Sequence, residues 1–121
     1  MGKVIRAQRI GKSIRRRALS HRRKGKPVHP ALDKAIAGNV RGKITDIFHA
    51  SGRTTPLAKV AYENQESGLL IAPLGLCVGD EVMYGSKAEK NLGSCMFVSQ
   101  IPEGTSVYNV ENLPGDGGKF A

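Results

Sequence analysis

Six stretches of the chain combine β-branched and other apolar residues with the short length typical of β-strands. Glycine, proline, asparagine or aspartate separates these stretches, which favours tight turns between them. Five or six such strands predict a mainly β domain, in the form of a small closed barrel without free sheet edges. A small sandwich and an open meander fit the same pattern. The predicted strands are Val40–His49, Leu57–Tyr62, Leu69–Ala72, Glu81–Tyr84, Met96–Ile101 and Ser106–Val110.

One short helix is predicted ahead of the strands. Pro30 can open a helix over Ala31–Ala37, because the N–H that proline lacks has no partner at the first helical position. Gly38 can end this helix in the left-handed conformation. The fifteen glycines and six prolines otherwise favour turns, and Leu113–Ala121 is predicted to be a loop.

The positive charge is concentrated before the first predicted strand. The formal net charge is +9, and the first 32 residues hold eleven basic and no acidic side chains. Because like charges repel and little apolar surface offsets them, we expect this arm to order against a polyanion. RNA is favoured, since most of these residues are arginine, which binds phosphate in bidentate fashion. They are Lys3, Arg6, Arg9, Lys12, Arg15, Arg16, Arg17, Arg22, Arg23, Lys24 and Lys26.

Two other interpretations of the arm are a solvated tail that serves solubility alone and a mitochondrial presequence. Glycines and prolines interrupt any sustained amphipathic helix, which disfavours the presequence. His21 and His29 belong to the arm and are expected to contact RNA rather than a metal.

A thinner set of basic residues follows on the predicted barrel and in the C-terminal loop. We expect these residues to contact RNA as well, although scattered exposed charges are an equally good interpretation of each one singly. The set consists of Arg41, Lys43, Arg53, Lys59, Lys87, Lys90 and Lys119.

No recognisable catalytic centre is present in the sequence. A phosphate-binding loop at Gly115–Lys119 would need glycine and serine or threonine where Leu113 and Phe120 stand. The histidines have no metal-ligand spacing with Cys77 and Cys95, which are predicted to be free, small core residues. We expect no enzyme activity, no small-molecule substrate, no membrane span and no cofactor apart from Mg²⁺ associated with RNA.

Five strings of residues occur in an order that resembles one protein family. Together they resemble the archaeal and eukaryotic form of large-ribosomal-subunit protein two, from the start of the chain to its last residues. The strings are Met1–Arg9, Gly52–Val60, Asn91–Ser94, Ile101–Thr105 and Leu113–Lys119.

The resemblance implies three regions: a basic RNA-penetrating arm at 1–30, an OB-like RNA-binding barrel at 31–112 and a linker at 113–121. It implies a structural constituent of the large subunit of the cytosolic ribosome, bound to large-subunit rRNA beside neighbouring ribosomal proteins. In that family the protein supports subunit association and the architecture of the peptidyl-transferase region, and the chemistry belongs to the RNA.

The sequence departs from the family at its C-terminal end. Family members carry a second barrel and a long extension, so residues 113–121 are expected to lead toward a second barrel that this sequence does not include. The connection from Ala61 to Leu70 is also shorter than the family leads us to expect.

The alternative function is a free-standing single-stranded RNA-binding module that acts as a soluble translation or RNA-chaperone factor. Such modules stack bases on exposed aromatic residues. Only Phe48, Tyr62, Tyr84 and Tyr108 are available for this, and some must fill the core, which favours recognition of RNA backbone and shape. A small nuclease would need converging carboxylates or histidines, which the sequence does not offer.

Overall fold

The computed structural model describes residues 2–12, 20–31 and 38–120. Within these ranges the regular elements are one short helix, four strands and two single-turn 3₁₀ helices. They are α1 (Arg6–Lys12), β1 (Val40–Phe48), β2 (Leu57–Tyr62), β3 (Ser67–Ile71), β4 (Glu81–Tyr84) and the 3₁₀ turns Ser20–Arg22 and Val98–Gln100.

The four strands form one antiparallel sheet in the order β3-β2-β1-β4. The long central strand β1 pairs with both β2 and β4, and a bulge interrupts its pairing with β2 after Ile44. Thr45 is the extra residue, and its hydroxyl donates a hydrogen bond of 3.1 Å to the carbonyl of Lys59. A bulge bends its strand and increases the local twist, so the sheet curves around the core.

One face of the sheet is apolar and buried. Ile44 on β1 lies opposite Val60 on β2, and their side chains are 1% and 0% exposed. Burying a side chain of this size contributes about 1.5–3 kcal/mol, so the strand pairs on this face hold the domain together. The core cluster consists of Ile44, Ala58, Val60, Leu70, Ala72 and Val82.

The opposite face of the sheet carries charged residues at the alternate positions. Arg41 and Lys43 on β1 and Lys59 on β2 are exposed, and the strand register assigns all three to this face. We call these three residues the basic face. Because successive side chains of a strand lie on opposite faces of the sheet, these strands have one apolar core face and one cationic face.

The prediction of four strands between residues 40 and 84 is confirmed, with β2 and β4 correct at both ends. The prediction of five or six strands is wrong for the described residues, because Met96–Ile101 holds a 3₁₀ turn and Ser106–Val110 holds no strand. Asn109, at φ 55°, leaves the extended conformation, and Val110 forms only an isolated bridge to Phe120.

The closed barrel is not confirmed, since β3 and β4 are the two edges of an open sheet. The short helix of the structure is α1, which the sequence pattern did not predict. The predicted helix Ala31–Ala37 lies outside the described residues apart from Ala31.

Both cysteines are free, as predicted, but their placement in the core is wrong. Cys77 is exposed and Cys95 is half-buried. Cys77 lies in the turn before β4, where its backbone N–H donates a hydrogen bond of 2.7 Å to the Asp80 carboxylate. This turn chemistry keeps the Cys77 side chain at the surface.

Candidate nucleic-acid interface

Residues 23–30, which we call the docked segment, lie against the sheet. The Lys24 ammonium is 5.0 Å from the ring centroid of Phe48, a cation–π distance. Gly25 has a φ of +122°, and a Cβ there would lie 2.5 Å from the Leu69 side chain. The chain therefore needs glycine at this position, both for its backbone conformation and for its close approach to β3.

The end of the docked segment is fixed by His29. Its ring Nε2 lies 2.7 Å from the carbonyl oxygen of Asn109, and its Nδ1 lies 3.5 Å from the sulfur of Cys95. The hydrogen bond with Cys95 raises the pKa of His29 to about 9, against the lowering effect of burial, and the Asn109 carbonyl adds to the rise. The contact ties the arm to the loop before the C-terminus.

A groove of about 760 Å³ lies between the docked segment and the sheet. Three of its cations are Lys24 and Lys26 from the arm and Lys59 from β2, and the carboxylates of Asp46 and Glu66 also line it. Ammonium groups that line an open groove attract phosphate. The lining residues are Lys24, Lys26, Val28, His29, Pro30, Asp46, Phe48, Lys59, Tyr62, Glu66, Ser67, Gly68, Leu69 and Tyr84.

The predicted residues ahead of the docked segment form two groups. Lys3 is exposed and precedes α1, whereas Arg6 and Arg9 are exposed and stand three residues apart within it, a spacing that places helical side chains on one face. Lys12 is the last residue of α1, and Arg15, Arg16 and Arg17 lie outside the described residues. His21, Arg22 and Arg23 are exposed at and just after the first 3₁₀ turn.

Lys87 stands at the other end of β1. The Asn39 side-chain amide donates a hydrogen bond of 2.8 Å to the Lys87 carbonyl and accepts one of 2.9 Å from its N–H. This double contact joins the entry to β1 to the loop after β4, which also carries the exposed Lys90. Both lysines lie outside the groove lining.

Two of the predicted cations have local structural contacts. The Lys119 ammonium forms an ion pair of 2.6 Å with Asp116, and this partner lowers the pKa of the Asp116 carboxyl. Arg53 is half-buried, and its backbone N–H donates a 3.2 Å hydrogen bond to Ala50 in the turn before β2.

Sequence reasoning missed the residues that hold the loops around the interface. The Glu111 carboxylate accepts hydrogen bonds of 2.9 and 3.1 Å from the N–H groups of Gly115 and Gly117. A Cβ at Gly118 would overlap the side chain of Asn109. The glycine-rich string near the C-terminus was the available signal, because repeated glycines mark turns that need a local acceptor.

Residues 2–12, 20–31 and 38–120 contain neither a metal-binding cluster nor a membrane-spanning helix. No group of three or more histidine, cysteine or acidic side chains there could hold a metal ion. No helix in these ranges has the length and apolar character needed to cross a membrane.

Comparison with known proteins gives the chain its family. Residues 2–84 match the family described as Ribosomal Proteins L2, RNA binding N-terminal domain. Similar proteins are the large ribosomal subunit protein uL2 of Methanothermobacter thermautotrophicus, 46% identical over 99% of this chain, and that of Methanocaldococcus jannaschii, 45% identical over 99%. The uL2 protein of Methanopyrus kandleri is 42% identical over 100% of this chain.

The chain spans about half the length of these relatives, with 51%, 50% and 51% of them covered. The matched region contains all four strands and the docked segment. The chain therefore belongs to the ribosomal protein L2 family in its archaeal form, and matches the RNA-binding N-terminal domain of that family.

Proposed function

We propose that this chain is a structural constituent of the large ribosomal subunit, and that it binds and stabilises large-subunit rRNA without catalysis. The observation that supports this most directly is the groove, which Lys24 and Lys26 of the arm and Lys59 of β2 line together. Cations that line one groove can contact phosphates of the same RNA segment, and each contact releases counterions.

Around the groove the proposed RNA contacts extend in two directions. On one side are the arm residues before the docked segment, and on the other is the basic face of the sheet. The proposed contacts are Lys3, Arg6, Arg9, Lys12, Arg15, Arg16, Arg17, His21, Arg22, Arg23, Lys24, Lys26, Arg41, Lys43, Arg53, Lys59, Lys87, Lys90 and Lys119.

The division into arm, sheet domain and linker is part of the same proposal, with residues 1–30, 31–112 and 113–121 in these roles. The OB-like barrel stays a prediction from the resemblance, because closing the sheet would require its edges β3 and β4 to pair. We further propose that the protein works within the cytosolic ribosome, next to other ribosomal proteins, and supports subunit association and the peptidyl-transferase region.

The free-standing single-stranded RNA-binding module has less support. Stacking of bases needs exposed aromatic faces, whereas Tyr84 is 2% exposed and Tyr62 packs edge-on against it. The Lys24 ammonium already lies over the Phe48 ring. Recognition through phosphates and RNA shape fits these side chains better.

The test is the salt dependence of binding of the full chain to a fragment of large-subunit rRNA. One variant neutralises the basic face with Arg41→Gln, Lys43→Gln and Lys59→Gln. Each lost phosphate contact reduces the slope of log K against log salt by about 0.7–0.9. We therefore expect this variant to bind more weakly and with a flatter slope.

The matched control keeps the charge of the basic face, with Lys43→Arg and Lys59→Arg, and should retain the wild-type slope. An unchanged slope in the neutralised variant would overturn the assignment of the basic face. Equal affinity for an unstructured RNA strand of the same length would favour the free-standing module instead.

A further inference from the structure

A thiol and an imidazole meet near the end of the docked segment. The Cys95 sulfur lies 3.5 Å from Nδ1 of His29, and the two residues are 66 positions apart in the chain. Both side chains are half-buried. The fold therefore creates this cysteine–histidine pair, which no local sequence pattern indicates.

The other nitrogen of the His29 ring fixes the orientation of the ring. Nε2 lies 2.7 Å from the carbonyl oxygen of Asn109 and 3.1 Å from the side-chain amide nitrogen of the same residue. Both contacts hold Nδ1 against the Cys95 sulfur. A thiol in contact with an imidazolium is a setting found at reactive cysteines.

The position of the sulfur is fixed by the backbone around it. The Cys95 N–H donates a hydrogen bond of 2.9 Å to the Met83 carbonyl, and the Gly85 N–H donates one of 3.2 Å to the Cys95 carbonyl. Burial raises the pKa of the neighbouring Tyr62 and Tyr108 phenols, so these groups stay neutral near pH 7. His29 is then the charged group in contact with the thiol.

We propose that Cys95, activated by His29, is a site of covalent modification by small soft electrophiles such as alkyl halides and hydrogen peroxide. With iodoacetamide, a sulfur–carbon bond forms, the carbon–iodine bond breaks, iodide leaves and the thiol proton passes to solvent, while the His29 imidazolium stabilises the attacking sulfur. With hydrogen peroxide, a sulfur–oxygen bond forms and the oxygen–oxygen bond breaks. The leaving hydroxide takes the proton and becomes water, while the sulfur is oxidised by two electrons to a sulfenic acid.

Cys77 provides a control within the same chain. It is the more exposed of the two thiols, so accessibility alone would make it react faster. Its sulfur donates a 3.8 Å hydrogen bond to the Gly75 carbonyl, and its backbone N–H binds the Asp80 carboxylate.

The experiment treats the full native chain with limiting iodoacetamide at pH 7 and measures both alkylation rates by peptide mass spectrometry. We expect Cys95 to react about tenfold or more faster than Cys77, as contact with a cationic imidazolium predicts. In urea the two rates should become similar. In His29→Gln the Cys95 rate should fall while the Cys77 rate stays unchanged.

Faster reaction of Cys77 in the native chain, or the same ratio in native and urea-unfolded chain, would overturn the proposal without any variant. An unchanged Cys95 rate in His29→Gln would also overturn it, since the thiol would then react without the imidazole. Peroxide treatment followed by dimedone should trap a sulfenic acid at Cys95 and not at Cys77, and the reverse distribution would contradict it.

Discussion

The ring of Tyr62 meets the ring of Tyr84 edge to face, with centroids 5.2 Å apart and planes at 81°. The two residues lie on β2 and β4, on either side of β1, and Gly42 of β1 leaves the space that the Tyr62 ring occupies. A Cβ at position 42 would lie 2.6 Å from both the Tyr62 ring and the Val60 side chain. An aromatic pair of this geometry contributes about 0.5–1.5 kcal/mol beyond its burial.

We predict that Gly42→Ala lowers the free energy of unfolding by about 1–3 kcal/mol, because the added methyl group overpacks the buried face. Chemical denaturation followed by circular dichroism measures the change. Gly2→Ala is the matched control, since a Cβ there meets nothing within 4 Å. It should shift stability by no more than about 0.5 kcal/mol, and an equal loss in both variants would contradict the packing argument.

The contacts of His29 predict how stability depends on pH. Its pKa rises from the ordinary 6.5 to about 9 in the folded chain. A raised folded-state pKa gives stability that is fully present below pH 6.5 and is lost as pH rises through 9. Allowing for solvent screening of a half-exposed ring, we expect a loss of about 1–2 kcal/mol between pH 6 and pH 9.5.

Urea denaturation across this pH range compares the wild type with two variants. His29→Gln should remove most of the pH dependence. His49→Gln, which changes an exposed histidine, should keep it. A wild-type curve that rises between pH 6 and pH 9.5 would show that the His29 contacts do not favour its charged form.

Lys119 and Lys59 should differ in their effect on RNA binding. The Lys119 ammonium is paired with Asp116 at 2.6 Å, so the carboxylate already offsets its positive charge. Lys59 lines the groove. We predict that Lys59→Gln flattens the salt slope for rRNA binding by about 0.7–0.9, and that Lys119→Gln changes it less. A larger change for Lys119→Gln would indicate that its ion pair opens on RNA.

Glu111 is predicted to hold the loop before the C-terminus. Glu111→Gln keeps one amide oxygen but loses a carboxylate oxygen, so one of the N–H groups of Gly115 and Gly117 loses its acceptor. We expect a loss of about 1–3 kcal/mol in local stability, seen as faster hydrogen exchange at these two amides. Glu103→Gln, at an exposed loop position, is the control and should leave both exchange rates unchanged.

The sequence predicted correctly those strands whose residue pattern is typical of a strand and which also find a partner strand in the sheet. The alternation in Leu57–Tyr62 matches a strand with one buried face. The run Met96–Ile101 is equally apolar, but Val98–Gln100 turns as a 3₁₀ helix and Val98 is exposed at 68%. Apolar composition alone could not reveal this, because strand formation also needs a partner edge.

The sequence predicted the positive charge of the interface but not the contacts that dock the arm on the sheet. The basic residues of the arm were evident from composition, yet the docking of residues 23–30 depends on single contacts such as Gly25 against Leu69. No local sequence pattern indicated that Asn109 and Cys95 contact the arm. These two residues lie 80 and 66 positions from their partner His29. Contacts between such distant positions follow from the tertiary fold and not from local pattern.

The same long separation has a consequence for the order of folding. Closing a loop of 80 residues between His29 and Asn109 costs more entropy than forming the local pairing of β2 with β3. The antiparallel strands should therefore pair first, and the docked segment should settle last. Substitution of His29 would then speed unfolding and leave the folding rate almost unchanged, so a newly made chain would keep its cationic arm free until the sheet is complete.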